Sequence, residues 1–433
     1  MARVLLLIPT ASYRAPDFMA AAAELDVDVV VGSDQRSAVE SFLPGATVAL
    51  PLGDPEAAAD AIETFAAEWP LEAIVAVDDG GTLVAARASQ RLGLPYNSID
   101  AVAATRDKSL LRERLAAGGV PSPPWMVAPI DSDPRTVAAE APLPCVVKPL
   151  SLSGSRGVIR ADDEAGFVAA FDRLRALLGD PAVQDECMGT GDRVLIEGYI
   201  PGDEVSVEGL LTDGELEVLA IFDKPDPLVG PYFEETIYVT PSRLPADRQE
   251  EVRRTSAAAA KALGLTDGPL HAELRINDDG VWPVDIAARS IGGLCSRTLQ
   301  FGAGVTLEQL LLSHAVGKPD ASRARLNPAS GVMMIPIPRA GRLRRVEGLA
   351  AARAAPGVAG VAITIRLGHE VTPLPEGSEY LGFIFARGED PTEVEAALRH
   401  AHALLRIDIV DADEESGAPL TLEGAGEARR ALS

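Results

Sequence analysis

Apolar and polar positions follow two alternating periods along the first hundred residues. Continuous apolar runs of strand length occur at RVLLLIP (3–9), DVDVVVG (26–32), ATVALPL (46–52) and LEAIVAVDD (71–79). Between and after them lie helical-period stretches such as DPEAAADAIETFAAEW (54–69) and GGTLVAARASQRLGL (80–94). Alternating strands and helices predict an α/β, mostly parallel, doubly wound layer. A helix then opens near Thr105, read as its N-cap, carries Lys108 in its first turn, and ends at Gly118-Gly119 before a proline linker. PCVVKPLSLSGSRGVIRA (144–161) reads as a strand bearing Lys148, a small-residue loop from Ser151 to Gly157, and a second strand. VLIEGYIPGDEVSVEGLL (194–211) gives two strands around a Pro-Gly break, with Glu197 ending the first and Glu204 opening the second. A Pro/Gly-rich segment with Lys224, Glu234 and Glu235 suits a loop over a site, and a long helix spans about 245–265. Past 300, a helix near 304–319 precedes strands at 331–338, 360–367 and 381–388 and a helix at 390–407. The stretch from about Glu414 is rich in Ala, Gly and Glu and reads as a frayed tail.

HAELRINDDGVWPVDIAARSIGG (271–293) holds the most informative pattern. Asn-Asp-Asp-Gly is turn chemistry between two alternating runs, which predicts a β-hairpin. A loop centred on Asp279 sets Glu273 opposite Asp285. By the period of two, Leu274, Ile276, Trp282 and Val284 then share a buried face, and His271, Glu273, Arg275 and Asp285 share the other. Two carboxylates about 5 Å apart across a strand pair repel unless a cation lies between them. The pattern therefore offers a divalent-metal seat, with a solvated hairpin face as the plain alternative.

Composition narrows the partners. The 433 residues are 47% hydrophobic, long enough for two or three domains, and carry a formal charge of −25. That charge argues against nucleic acid or an anionic membrane as partner. The N-terminal apolar run is too short for a signal peptide, no run reaches the roughly 20 apolar residues of a membrane span, and three cysteines lie far apart. A reduced, cytoplasmic chain is the expectation. No GxGxxG follows the first strand and no GxxxxGK[ST] occurs, so neither a dinucleotide fingerprint nor a P-loop is present. Only five of the 39 basic residues are lysine: Lys108, Lys148, Lys224, Lys261 and Lys318. A compact ammonium serves where one phosphate oxygen must be reached, which singles out Lys148 beside its small-residue loop. The scattered histidines His271, His314 and His369 show no zinc spacing and read as structural or surface residues; Cys295 has no evident base and reads as packing.

The order of these parts resembles the ATP-grasp superfamily, and most closely the L-amino-acid (dipeptide) ligase type of carboxylate–amine ligase. The resemblance implies an ATP-grasp fold with a Rossmann-like pre-ATP-grasp domain at 1–103. A small lobe would follow at 104–200, a large lobe at 201–323, a C-terminal α/β portion at 324–413 and a tail at 414–433. It implies phosphate contacts from Lys108 and Lys148, and a flap over them built from Ser151, Ser153, Gly154, Ser155 and Gly157. Glu197, Tyr199 and Ile200 would form the adenine hinge, and Glu204 would accept from ribose. Glu273 and Asp285 would hold one or two magnesium ions, with manganese as a substitute. Arg289 would face the transferred phosphoryl group beside the Gly292-Gly293 turn. Lys224, Glu234 and Glu235 are substrate-side candidates from their own Pro/Gly-rich loop, apart from the resemblance. Many members have Glu-x-Asn-x-Arg at the second metal position, whereas this chain has Asp285-Ile286-Ala287-Ala288-Arg289; the dipeptide-ligase branch also carries Ala in place of Asn. The activity implied is amide formation between a small-molecule carboxylate and an amine through an acyl phosphate. Another ATP-grasp chemistry, activating bicarbonate, carbamate or a purine-pathway carboxylate, and an idle ATP-binding protein remain the alternatives, and a homodimer stays open.

Overall fold

The computed structural model describes residues 2–10, 12–36, 44–318, 323–326, 329–411 and 421–422. The expected tail lies outside these residues except for Thr421–Leu422. The N-terminal sheet is parallel, ordered Thr47–Ala49, Asp28–Ser33, Arg3–Leu7, Ala73–Ala76. Alternate residues of its central strand enter two cores: Val4 and Leu6 pack on one side, Leu5 and Leu7 on the other. Burial on both faces explains why these strands read as unbroken apolar runs. Helix Asp79–Leu92 starts just beyond strand Ala73–Ala76. That sets Asp78 and Asp79 at the carboxyl end of a parallel strand, where open α/β sheets leave a crevice.

An antiparallel sheet follows, ordered Trp125–Pro129, Arg193–Gly198, Cys145–Pro149, Ile159–Ala161. Helix Glu164–Leu178 covers it with Phe167, Phe171 and Leu174, all fully buried. The largest sheet has eight antiparallel strands. Its order is Gly280–Ala287, Gly268–Asn277, Asp203–Thr212, Glu215–Asp223, Ile237–Thr240, Ala329–Ile335, Gly382–Gly388, Val358–Ile363. The last three strands thus continue the sheet that carries the hairpin, which brings residues near 380 to the same wall as residues near 235.

Two local expectations change. Thr105 is not a cap: it lies inside helix Ile99–Arg106, with its hydroxyl donated to the Val102 carbonyl at 2.8 Å. Asp107 caps the next helix, Lys108–Ala117, by accepting from the Ser109 N–H at 2.8 Å. A carboxylate here is the stronger N-cap acceptor. The hairpin forms with Glu273 opposite Asp285, but by a different route. Its turn has two residues, pairing Asn277 with Gly280, Arg275 with Trp282 and Leu274 with Pro283. A β-bulge at Val284 then shifts the register and brings Asp285 opposite Glu273. Leu274 and Ile276 enter the core as expected; Trp282 and Val284 do not. Val281 packs there instead, because a two-residue turn moves every side chain before the bulge to the other face, and Ile286 packs there from beyond the bulge.

Candidate active site

A cavity of about 620 Å³ opens where the N-terminal sheet, the small antiparallel sheet and the large sheet meet. That volume suits a nucleotide with a small second substrate. One wall is a ladder on the face of the large sheet. Glu204 pairs with Arg275, Ser206 with Glu273, and Glu208 with His271, every second residue facing the same side. Asp285 adds to it from the edge strand. The expected sharing of one face by His271, Glu273, Arg275 and Asp285 is what the register produces.

The charges on this wall are mutually engaged. Glu204 accepts from Lys224 Nζ at 2.7 Å and from Arg275 Nε at 2.9 Å. Lys224 also bonds Glu235 and lies 3.5 Å from Glu273. Burial works against the Lys224 charge, but Glu204, Glu235 and Glu273 raise its pKa well above the ordinary lysine value. Burial and then the Glu273 charge push the Glu235 carboxyl up to about 7, although Lys224 opposes this. Burial also works against the Glu273 charge, yet Lys224 and His271 hold its carboxyl well below the usual range. His271 is buried, with Nδ1 3.3 Å from Glu208 and Nε2 3.8 Å from Glu273. Oxygens of Glu204, Glu235 and Glu273 come within 4.8 Å of one another.

The opposite wall comes from the small lobe. Val146 pairs with Glu197 and Lys148 with Leu195, so Lys148 and Glu197 are diagonal neighbours and their side chains form an ion pair. Arg112, fully buried, donates Nε to Glu197 at 2.7 Å and its two Nη groups to the Pro283 and Val284 carbonyls at 2.8 and 3.1 Å. One arginine thereby ties the small-lobe sheet to the hairpin. Burial disfavours the Glu197 charge, but Arg112 and Lys148 overcome it and hold the carboxyl down at about 2. Lys108 donates to the Leu152 carbonyl at 3.0 Å and lies 3.4 Å from Asp285. Arg289 donates to Asp79 at 2.9 Å and to the Ser290 carbonyl at 3.0 Å.

Most residues singled out from the sequence line this cavity: Lys108, Lys148, Ser151, Ser153, Gly154, Ser155, Glu197, Tyr199, Ile200, Glu204, Glu235, Glu273, Asp285, Arg289, Gly292 and Gly293. Three stand off it. Lys224 lies behind the carboxylates it bonds, Glu234 is half-buried outside, and Gly157 anchors the flap by donating its N–H to the Pro375 carbonyl at 2.8 Å. The far end of the cavity was not foreseen. Tyr13, Tyr380, Phe383, Met334 and Cys295 line it, and Tyr13 meets Phe383 edge-on at 5.7 Å between centroids. Tyr238 joins this group to the charged wall by donating its hydroxyl to Glu235 at 2.8 Å. Burial pushes the Cys295 thiol up to about 12, which agrees with packing and not with a nucleophile. Arg112 and Asp79 lie outside the sequence expectations, and His271, expected as a structural or surface residue, lines the cavity. A signal existed for Arg112, four residues after Lys108 and so on the same helix face. For Asp79 it was the strand-end position.

Comparison with known proteins decides the family. An ATP-grasp domain model matches residues 141–298 and an ATP-grasp N-terminal domain model matches 19–96, together more than half of the chain. The chain belongs to the ATP-grasp superfamily. An L-amino acid ligase C-terminal domain model matches 333–410, which points to the ligase type expected from the sequence. The crystal structure of an L-amino acid ligase from Bacillus licheniformis superposes with a TM-score of 0.81 at 25% identity, covering 95% of this ATP-grasp chain and 99% of that one. Alanine–anticapsin ligase of Bacillus subtilis (strain 168) is 29% identical over 243 residues, 52% of this chain and 50% of that protein. Dapdiamide A synthase of Enterobacter agglomerans is 28% identical over 240 residues, 54% of each. The match spans about half the length of these two curated relatives. Among the described residues no helix is long and apolar enough to cross a membrane.

Proposed function

We propose that this ATP-grasp chain is an ATP-dependent carboxylate–amine ligase that forms an amide bond and releases ADP and phosphate. The observation that carries the reading is Glu273 directly opposite Asp285 on a cavity that also bears Lys108, Lys148 and Arg289. Ligases among its relatives support it. The donor pair fits magnesium, since Glu273 and Asp285 offer carboxylate oxygens from facing strand positions. The three carboxylates that converge, Glu204, Glu235 and Glu273, share only Glu273 with that pair and close on the Lys224 ammonium. Glu273 and Asp285 would hold the ion, which supplies positive charge at the β- and γ-phosphate oxygens.

The chain's own residues do the rest. The Tyr199 N–H is donated to the Pro144 carbonyl and the Ile200 carbonyl accepts from Arg275, which leaves the Tyr199 carbonyl and the Ile200 N–H for a purine edge. Glu204, steadied by Arg275 and Lys224, accepts from ribose hydroxyls. Lys108 and Lys148 hold phosphate oxygens. A substrate carboxylate oxygen attacks the γ-phosphorus, the bond to ADP breaks, and an acyl phosphate forms while Arg289 offsets charge on the moving phosphoryl group. The amine then adds to the carbonyl carbon and loses a proton, and phosphate leaves. The acyl phosphate hydrolyses readily, so water must be kept out. The flap is set to do this, since Arg156 joins its end to the Glu376 carbonyl at 2.9 Å and to Glu186 at 3.0 Å. The loop carrying Lys224, Glu234 and Glu235 closes the other side.

The test is phosphate release from MgATP over a panel of amino acids, singly and in pairs, with products weighed by mass spectrometry. A condensed product that needs both a carboxylate and an amine is the expected result. Release that follows bicarbonate alone would favour carbonate activation, and silence across the panel with ATP still bound would favour an idle protein.

A further inference from the structure

Three segments distant in sequence converge on the Asp79 carboxylate. Arg289 reaches it at 2.9 Å from the end of the hairpin, and Arg106 lies 3.5 Å away at the last position of helix Ile99–Arg106. All three side chains are 16% exposed or less, and all three residues line the cavity. Burial works against charge on Asp79, and the two arginines with Lys108 hold its carboxyl well below the usual range. A single buried carboxylate thus keeps two guanidinium groups side by side that would otherwise repel.

The two arginines differ in what they have left to give. Arg289 uses donors on Asp79 and on the Ser290 carbonyl. Among the described residues Arg106 makes only the long contact to Asp79, and its buried Nε has no hydrogen-bond partner there. A guanidinium carries five N–H donors in a fixed fork, and a buried donor without an acceptor costs free energy. Its position, two residues before Lys108 and beside Arg289, puts those donors where an anion would complete them.

We propose that Arg106 is a second guanidinium of the anion site beside the ATP phosphates, aligned with Arg289 by Asp79, and that it binds the phosphoryl group in flight or the acyl phosphate it becomes. This rests on the reading of the cavity as a nucleotide site. Asp79 is then a positioning residue contributed by the N-terminal domain to chemistry on the large sheet.

The test needs no knowledge of the carboxylate or amine. MgADP binding is measured by calorimetry with and without tetrafluoroaluminate, a mimic of the phosphoryl group in transfer, for the whole chain and its R106Q, R106K and D79N variants. Folding of each variant is checked by circular dichroism and thermal melting, and the fluoroaluminate gain of each is taken relative to its own MgADP affinity. The wild type should bind MgADP at least tenfold tighter with fluoroaluminate. R106Q should lose most of that gain, R106K should keep part of it, and D79N should lose it as well. An undiminished gain in R106Q, or a larger one in D79N, would overturn the proposal, the second by making Asp79 a competitor for the arginines. A wild type that binds MgADP without any fluoroaluminate gain would overturn it too. A wild type that does not bind MgADP would remove the nucleotide reading itself, a different and recognisable failure.

Discussion

The two ends of the cavity are built on different rules. At the nucleotide end, charges sit on regular strands and are paired with neighbours on the same or the next strand: Lys148 with Glu197, Glu204 with Arg275, Glu208 with His271. At the far end, rings and small residues come from segments hundreds of positions apart: Tyr13, Gly293, Tyr380 and Phe383. The first arrangement fixes point charges against a ligand that never varies. The second sets a shape, and shape can be changed without disturbing the charges. The two ends should therefore respond to mutation on separate axes.

The largest test of that separation is Glu273→Gln against Phe383→Leu. Loss of the Glu273 charge should lower the rate of phosphate release about 10²–10³-fold, the usual scale for removing one group that offsets transition-state charge. Phe383→Leu should leave the ATP KM within about two-fold while changing the KM of whichever small substrate is accepted. Steady-state kinetics on both variants checks it. An ATP KM that moves with Phe383 would mean the ends are coupled and the comparison fails.

A second test separates stability from chemistry. Glu197→Gln leaves the ammonium of Lys148 and the guanidinium of Arg112 buried without their carboxylate. Removing one partner of such a group costs about 3–5 kcal/mol, to be read from urea unfolding at neutral pH. The sign of the pH effect follows from the same site. Glu197 is held at about 2 against an ordinary 4.5, so its contribution is full above about 4.5 and is lost as pH falls through 2. Wild-type stability should fall across that window more steeply than that of Glu197→Gln. Parallel curves would show that the pair contributes nothing net.

These contrasts also explain what the sequence could and could not reveal. Lys148 was readable because an ammonium inside an apolar strand needs an anion, and Glu273 with Asp285 because a short turn fixes which residues face each other. Even there, the turn is one residue shorter than the pattern predicts, although the facing pair is the same. A two-residue turn alone would have put Asp285 out of register, and the bulge at Val284 restored it. Bulges leave little mark in a single sequence. The far end left less still, because Tyr13 and Phe383 meet only after the chain has folded. The strand-end place of Asp79 is legible, but its pairing with Arg289, 210 positions away, is not.

The smallest expected effect is also the most local. Gly292 and Gly293 are adjacent, both line the cavity, and both looked alike as a small-residue turn. Their surroundings differ. A Cβ on Gly292 would meet nothing within 4 Å, whereas one on Gly293 would come within 2.9 Å of the Phe383 ring, at a backbone φ of +62°. Gly292→Ala should therefore change stability by no more than about 0.5 kcal/mol. Gly293→Ala should cost about 1–3 kcal/mol from the left-handed backbone together with the ring that must move. Because that ring belongs to the far end, Gly293→Ala should also alter the KM of the small substrate while MgADP affinity holds. Equal effects from the two alanines would mean that the wall yields where the structure has it packed, and the far end would then be a poor place to look for selectivity.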